Sequence, residues 1–455
     1  MRHATAYRLV LILLFVLPLV ALFLMPGHLL YLSQWFWLGL LLSVLAIWLV
    51  LGVPPEERAG HAASAAAVVP VPPGGPRMLM PEELPSVVRQ VMDVQSAFEQ
   101  AGVQAYRGRL KETPERAYEQ LKQAAGTETV PLVQEDVDGV AVVLVPRRVE
   151  QQILERPIRW WLHWLLFLLT FITTTFAGAA YVGINLLEEP MRFTAGLPYS
   201  ISLLAILGVH ELGHYFTAKH HGMNVTPPFF IPVPFALGTF GAFIQMRSPP
   251  EDRKALFDVA VAGPLAGLAV AIPALLIGLR LSQVVPDAVA TGTPSPTSFI
   301  GTNGAAVNSS IMLALLAKLA LGDAMHFGSV LRLHPAAFAG WIGLLITALN
   351  LLPIGQLDGG HTARAMFGTR IGRTISATAM WTLFLLALFV WPGLFTWALI
   401  VFFLAGRGTP PLNDVASIGR GRLAVGYLSF LILALILSPI PRALCERAGI
   451  MCPYL

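Results

Sequence analysis

The sequence predicts a polytopic helical membrane protein: a membrane all-α bundle of about eight or nine transmembrane helices with a small α+β soluble domain. Three observations support this fold class. The 455-residue chain is 55% hydrophobic, its mean hydropathy is +0.67, and only 12% of its residues are charged. Soluble proteins carry about twice that charged fraction. The composition therefore excludes a cytosolic enzyme, a DNA-binding protein and a secreted disulfide scaffold.

The charged residues are concentrated in one segment. Of 56 charged side chains, 27 lie between Pro54 and Arg159, and the other 349 residues hold 29. We therefore divide the chain into an N-terminal transmembrane hairpin (1–53), a cytoplasmic soluble domain (54–159), a membrane core (160–440) and a C-terminal tail (441–455). The net charge of +4 requires no nucleic-acid partner, because Lys and Arg are enriched in the cytoplasmic loops of membrane proteins.

The soluble domain shows patterns of both helix and strand. Val87, Val91, Val94 and Phe98 are near helical spacing and predict a helix from about Pro81 to Ala101. A second helix is expected at about Pro114–Ala125. It is followed by two strands, Val130–Val133 and Gly139–Pro146, with Asp138 and Gly139 as a hairpin turn. The composition of this module indicates no chemistry.

Apolar runs on both sides of the soluble domain predict the spans, each of which needs about 20 residues. They are Arg8–Phe23, Trp35–Leu51, Trp160–Gly183, Leu197–Lys219, Ala255–Leu279, Pro335–Leu352, Thr374–Trp391, Leu394–Ala405 and Leu423–Leu437. We interpret the first run as a retained anchor. Ser309–Leu321 is too short to span without tilt and is expected along a membrane surface. Lys and Arg cluster on the side of the soluble domain, which predicts that this side is cytoplasmic.

The motif His210-Glu211-Leu212-Gly213-His214 closes the apolar run that begins near Ile201. Residues four apart on a helix differ by about 400°, so the two imidazoles lie about 40° apart on one face. This geometry suits two ligands of one Zn²⁺ ion, and Glu211 is placed to reach a metal-bound water. We therefore predict a zinc site with His210 and His214 as ligands and Glu211 as the base.

A catalytic zinc site has three protein ligands and keeps a fourth position open. Four candidates for the third ligand are weak. His220 lies on a different face of the same helix. Glu251 and Asp252 follow two prolines in a basic loop, and Asp258 begins the next apolar run, where a carboxylate is an ordinary N-terminal feature of a helix.

Asp358 is the better candidate. It follows an apolar run that ends at Asn350 on the same predicted cytoplasmic side. Pro353 and Gly355 are expected to stop the helix there, and the two glycines after Asp358 to permit tight backbone around the carboxylate. The simpler alternative is a solvated aspartate in a loop after a helix.

These residues resemble the site-2 protease family of intramembrane zinc metalloproteases, peptidase family M50. That family pairs HExxH on one transmembrane helix with a distant Asp-Gly motif on another. Its central Ala-Gly-Pro element is similar to Ala262–Gly267, which ends in Gly267 where many members have Asn. Leu237–Ile244, Asn350–His361 and Leu412–Val415 are similar to the chloroplast and cyanobacterial EGY-like branch, which also carries an N-terminal soluble segment.

The resemblance implies hydrolysis of peptide bonds within or beside the transmembrane segments of other membrane proteins. Zinc would be held by His210, His214 and Asp358, and Glu211 would pass the proton of water to the leaving amine. Asn350 is either a hydrogen-bond donor to substrate or a structural helix-end residue. The implied partners are transmembrane substrates and membrane lipid, and the implied location is a bacterial inner membrane with the site toward the cytoplasm. The alternative function is a non-proteolytic membrane zinc-binding or transport protein.

The segment Pro227–Ser248 contains prolines that prevent a helix, yet it is rich in apolar residues. Irregular backbone at membrane depth requires protein or water to satisfy it, so a re-entrant loop or β-hairpin beside the zinc is expected. Thr239, Phe240 and Gly241 are candidate substrate-binding residues on an exposed strand edge. The alternative is an interfacial loop that only packs. Two tail residues, Cys445 and Cys452, are either a disulfide or two free thiols.

Overall fold

The computed structural model describes residues 77–100, 103–126, 129–136, 139–146, 158–234, 236–286, 310–322, 329–389, 395, 398–399, 401–402 and 410–438. The described residues fall into two units: those from 381 to 402 form one, and all others form the second. The predicted hairpin 1–53, the tail 441–455 with both cysteines, and Asp138 lie outside the described residues. The site described below belongs entirely to the second unit.

Residues 77–146 form a five-stranded antiparallel sheet with two helices, here called the sheet domain. The strand order is β1-β2-β3-β5-β4. Its apolar core includes Val88, Tyr106, Tyr118, Leu121 and Val133. The elements are β1 (Arg77–Met78), a 3₁₀ turn (Pro81–Glu83), α1 (Ser86–Val91), β2 (Met92–Gln100), β3 (Val103–Leu110), α2 (Pro114–Ala125), β4 (Thr129–Asp136) and β5 (Gly139–Pro146).

The predicted helix from Pro81 to Ala101 is wrong. It ends after the six residues of α1, and β2 begins at Met92. Val87 and Val91 of the predicted stripe lie in α1, and only Val94 and Phe98 lie in β2. Their spacing of four residues is compatible both with a helix turn and with the two-residue period of a strand. Pairing with β1 and β3 decides between the two, because tertiary context overrides a weak local preference. The predictions of α2, β4 and β5 are confirmed.

The membrane core contains seven α-helices and two small hairpins in the described residues. These are α3 (Trp160–Tyr181), α4 (Leu197–His220), β6 (Phe229–Pro232), β7 (Thr239–Phe243), α5 (Arg253–Arg280), β8 (Gln283–Pro286), α6 (Ile311–Leu321), β9 (Ser329–Arg332), α7 (Pro335–Leu351), α8 (Asp358–Phe389) and α9 (Arg420–Leu437), with a 3₁₀ segment at Pro190–Ala195. Helix α6 has only 11 residues and is too short to span a membrane. β6 pairs with β7, and β8 with β9, both antiparallel.

Four helices among the described residues are long and apolar enough to cross a membrane: α3, α5, most of α8, and α9. The protein is therefore an integral membrane protein that is mostly helical and carries a sheet domain. α4 has 24 residues, but its most apolar stretch is less apolar than those of these four helices, because it carries His210, Glu211 and His214. α7 is apolar but has only 17 residues.

Helices α4, α5 and α7 pack closely against one another and position the site. A Cβ atom on Gly213 of α4 would lie only 2.7 Å from the carbonyl oxygen of Ala262 in α5, so glycine permits direct contact of the two backbones. On the other side of α5, Gly340 of α7 makes a similar approach to Leu275. α6 packs through Leu313 and Leu316 into the same cluster as α5, α7 and α9.

Candidate metal centre

Three side chains from two distant parts of the chain converge at one point. The Nε2 atoms of His210 and His214, which are one turn apart on α4, lie 3.2 Å from each other. The Asp358 Oδ2 atom is 3.5 Å from His210 Nε2 and 3.3 Å from His214 Nε2. Both histidines are buried. In the described part of the chain, these residues form the one group of at least three His, Cys, Asp or Glu side chains able to share a metal ion.

This triangle fits zinc in both its atoms and its size. Imidazole nitrogen and carboxylate oxygen are common zinc ligands, and bond lengths of about 2.0–2.1 Å in a tetrahedron separate ligand atoms by about 3.3–3.4 Å. The three observed separations agree with that spacing. Three ligands also match catalytic rather than structural zinc sites, because the latter use four protein ligands.

The orientation of His214 is fixed by its second ring nitrogen. His214 Nδ1 lies 2.8 Å from the carbonyl oxygen of Val259 in α5. A carbonyl can only accept, so Nδ1 carries the proton and Nε2 is left with its lone pair toward the triangle. Ligating histidines in metal sites typically donate from their other nitrogen in this way.

Two glycines of α5 make room for the histidine rings. A Cβ atom on Gly263 would overlap the His214 imidazole, and one on Gly267 would lie 3.1 Å from His210 Nδ1. From the sequence, these two glycines were expected only to allow close packing of helices. The structure gives a more specific reason, because the missing side chains leave the space that the two rings occupy.

Asp358 is the first residue of α8. The two glycines after it were expected to permit tight backbone around its carboxylate. Gly359 and Gly360 lie inside this helix, where a Cβ on Gly360 would be 2.8 Å from the Ile354 carbonyl oxygen. The glycines thus allow the first turn of α8 to pack against the chain that leads into it. Asp358 is held by a helix start rather than by a loop.

Glu211 is buried beside the triangle and contacts the β6–β7 hairpin. Its carboxylate accepts a hydrogen bond from the backbone N–H of Ile244, the residue after β7. The base candidate is therefore anchored by the segment Pro227–Ser248. That segment forms a β-hairpin, one of the two forms expected for it. No side-chain pattern indicated the contributions of Ile244 or Val259, because both residues use backbone atoms.

Asn350 also lies at the triangle. Its side-chain Nδ2 is 3.1 Å from His210 Nε2, so the last turn of α7 brings an amide donor next to the candidate ligands. The other candidate substrate residues are on β7. The Thr239 hydroxyl is buried and donates to the Ile231 carbonyl at 2.9 Å while accepting from Gly241 N–H at 3.0 Å. Thr239 thus stabilises the hairpin turn, whereas Phe240 is exposed.

The weaker candidates for the third ligand have other partners. Glu251 pairs with Lys122 of α2, and Asp252 caps α5 by accepting from Ala255 N–H at 2.8 Å. Asp258 accepts two hydrogen bonds from the Arg422 guanidinium at 2.7 and 2.8 Å. Its Oδ2 also lies 3.0 Å from His221 Nε2. None of these carboxylates faces the triangle.

Comparison with known proteins agrees with this site. Residues 198–391, which include all three candidate ligands and Glu211, match the family model of peptidase family M50. The candidate metal centre therefore lies within the segment that resembles a peptidase family. Over these residues the chain is similar to peptidase family M50, and it is also similar to proteins of the EGY branch.

Three plant proteins show the similarity to this branch. A protein of Oryza sativa subsp. indica named probable zinc metalloprotease EGY2, chloroplastic, is 31% identical over 341 residues, 71% of this chain and 60% of the rice protein. Probable zinc metalloprotease EGY1, chloroplastic, of Arabidopsis thaliana is 34% identical over 259 residues, 56% of this chain and 45% of that protein. The Arabidopsis EGY2 protein is 28% identical over 356 residues, 76% of this chain and 62% of the relative. The chain thus spans less than two thirds of these relatives.

Proposed function

We propose that this protein is an intramembrane zinc metalloprotease that hydrolyses peptide bonds within or beside the transmembrane segments of other membrane proteins. The observation that carries the proposal is the triangle of His210, His214 and Asp358 with the buried carboxylate of Glu211 beside it. A transport or storage site would need the three ligands but not an additional carboxylate next to the first histidine.

The residues divide the chemistry among them. The three side chains of the triangle hold the ion, which when bound supplies a Lewis acid that activates water and polarises a carbonyl. Glu211 receives the proton of the attacking water and delivers it to the leaving amine. The Ile244 N–H keeps the Glu211 carboxylate in place, and the Val259 carbonyl keeps His214 in the tautomer that leaves Nε2 available.

Two further elements are proposed to bind the substrate. Asn350 offers an amide donor beside the triangle to the carbonyl oxygen that is attacked, where negative charge develops. The β6–β7 hairpin is proposed to take up the unwound part of a substrate helix by β-addition. Its strand β7 carries exposed Phe240 and leads directly to Ile244 at the base.

The proposed setting is a bacterial inner membrane, with about eight or nine spans and the site toward the cytoplasm. The distribution of Lys and Arg supports this orientation, and the span count includes runs outside the described residues. The proposed partners are transmembrane substrates and lipid, without nucleic acid. Fusing a reporter that is active only in the cytoplasm to each loop would test the topology. Activity of a reporter in a loop predicted to lie on the side opposite the sheet domain would contradict it.

The decisive test is Glu211→Gln in the full chain, reconstituted with a model transmembrane substrate. Cleavage should fall at least about 100-fold because the proton acceptor is lost, while bound zinc remains at the wild-type ratio. Glu189→Gln is the matched control, since Glu189 lies exposed before the opposite end of α4, in an ion pair with Arg192. Cleavage at the wild-type rate by Glu211→Gln would exclude the protease mechanism and favour a non-proteolytic zinc protein.

A further inference from the structure

A fully buried aspartate lies outside the metal site, in the segment that precedes α9. The Oδ2 atom of Asp414 accepts hydrogen bonds from Arg364 Nη2 at 3.1 Å and from the Thr369 hydroxyl. Its Oδ1 atom lies 3.5 Å from Arg253 Nε. A carboxylate removed from water requires partners of good geometry. This one is hydrogen-bonded to the guanidinium of Arg364 and lies within ion-pair distance of that of Arg253, which comes from a different helix. The contact between Asp414 Oδ1 and Arg253 Nε is electrostatic and not a hydrogen bond.

Both helices lead to the metal site. Arg364 is six residues after Asp358, about 9 Å along α8, and before the break in that helix at Gly368, where φ is +88°. Arg253 is the first residue of α5, the helix whose Val259 carbonyl orients His214. The Asp414 carboxylate therefore connects the helical segment that begins with Asp358 to the helix that faces the two histidines.

The sheet domain holds the backbone of Asp414 in place. Val133 of β4 donates its N–H to the Leu412 carbonyl at 2.7 Å, and its carbonyl accepts from the Asp414 N–H at 2.8 Å. The side chain of Asn413 donates to the Pro114 carbonyl at 3.1 Å. Residues 412–414 thus add to the edge of the sheet beyond β4.

The opposite edge of the same segment is bonded to the membrane core. Leu412 N–H donates to the Pro250 carbonyl at 2.9 Å, and Asn413 N–H donates to the Glu251 carbonyl at 2.8 Å. The ion pair of Lys122 with Glu251 bridges the two regions directly, and the carboxylate raises the pKa of Lys122. Residues 412–414 are therefore clamped between β4 and the chain that enters α5.

We propose that Asp414 is a positioning residue of the metal centre, which couples docking of the sheet domain to the placement of Asp358. The proposal rests on the proposed zinc site. When β4 holds residues 412–414, the Asp414 carboxylate fixes Arg364 and Arg253, and so fixes the start of α8 against α5. When that contact loosens, the start of α8 is free to shift, and Asp358 moves away from the two histidines.

The spacing of the three ligand atoms indicates that loss of Asp414 would weaken metal binding and would not only lower the stability of the fold. The separations in the triangle agree with a zinc tetrahedron to within a few tenths of an ångström, so a small displacement of Asp358 weakens one of three protein ligands. Groups that orient metal ligands from outside typically change metal affinity by about 10- to 100-fold when they are removed. Asp414 acts through a helix and not through a direct contact, so the lower end of that range is expected.

The test measures metal binding by the full chain in detergent, without substrate. Co²⁺ is the probe, because its d–d absorption reports the geometry of its ligands and chelator competition gives its dissociation constant. Asp414→Asn should raise that constant about tenfold and alter the d–d spectrum. The double variant Asp414→Asn/Arg364→Met should be no weaker than Arg364→Met alone, because the carboxylate acts through the arginine. Full additivity of the two changes would overturn the proposal.

Asp258→Asn is the matched control. It also removes a partly buried carboxylate that is paired with an arginine near the start of α5, but Asp258 holds α9 and not α8. We expect a loss of thermal stability with a dissociation constant for Co²⁺ within about twofold of wild type. Equal weakening of Co²⁺ binding in the two variants would reduce Asp414 to a general stabilising residue and overturn the proposal. If Asp414→Asn does not fold, Thr369→Val provides a milder change, which should weaken binding in the same direction.

Asn413→Ala tests the role of the sheet domain. It removes the donor to the Pro114 carbonyl but leaves the Asp414 carboxylate and both arginines in place. Weaker Co²⁺ binding would support coupling to docking, and unchanged binding would overturn it. A wild-type protein that binds Co²⁺ tightly but cleaves no substrate would contradict the proposed function and leave this inference standing. Absence of Co²⁺ binding by the wild type would overturn both.

Discussion

The sheet domain and the membrane core use their charges in opposite ways. The sheet domain is rich in charge, but its ion pairs are exposed: in the pair of Lys111 with Asp93, 43% and 75% of the side-chain surfaces remain accessible. The membrane core is poor in charge, and three of its aspartates are buried or partly buried beside specific partners. Asp358 faces two histidines, Asp258 binds Arg422, and Asp414 is fully buried between two arginines. The density of charge therefore does not locate function, whereas burial of scarce charge does.

The largest expected effect in the core follows from removal of a ligand. Asp358→Ala should abolish stoichiometric zinc binding and cleavage, because two histidines alone do not complete a tetrahedral site with an open position. Zinc content measured by atomic absorption and cleavage of a reconstituted substrate provide the check. The same substitution in the sheet domain, Asp93→Ala, should leave both unchanged. A zinc-loaded and active Asp358→Ala protein would exclude Asp358 as the third ligand.

An intermediate effect is expected from the two glycines that face the histidines. Gly263→Ala places a methyl group where the His214 ring lies, whereas Gly267→Ala adds one 3.1 Å from His210 Nδ1. Overpacking of this kind costs about 1–3 kcal/mol, and at Gly263 the ring itself must move. We therefore expect Gly263→Ala to weaken zinc binding at least about tenfold, and Gly267→Ala to have a smaller effect. Chelator competition on both variants measures the order, and a reversed order would contradict this explanation.

The sequence predicted the elements that depend on local spacing. The two histidines and Glu211 are within one turn, and Asp358 was selected because the competing carboxylates occupy ordinary helix starts or loops. The structure brings all four together. Helix α2 was predicted with its bounds, because Pro114 begins it and Ala117, Tyr118 and Leu121 form its buried face.

What the sequence left open depends on contacts between distant segments. In β2 the four-residue spacing of Val94 and Phe98 fits either a helix or a strand, and pairing with β1 and β3 makes it a strand. Ile244 and Val259 act through backbone atoms, which every residue possesses. In the sequence, Asp414 looks like an ordinary loop aspartate. Only the structure shows its contacts with Val133, Arg253 and Arg364. The side chains that form the site could therefore be predicted from the sequence. The backbone groups and the buried aspartate that position them could not.

The smallest expected effect provides the sharpest comparison between the two regions. Asp93→Asn removes the exposed pair with Lys111, and pairs of this kind contribute about 0–1 kcal/mol to stability. Asp414→Asn removes a fully buried carboxylate that pairs with two partly buried arginines, and breaking a buried pair costs up to about 3–5 kcal/mol. Unfolding of the two full-length variants in denaturant, followed by tryptophan fluorescence, compares the same chemical change in both regions. Equal losses of stability would show that burial does not separate the charges of the core from those of the sheet domain, and the distinction between the regions would then fail.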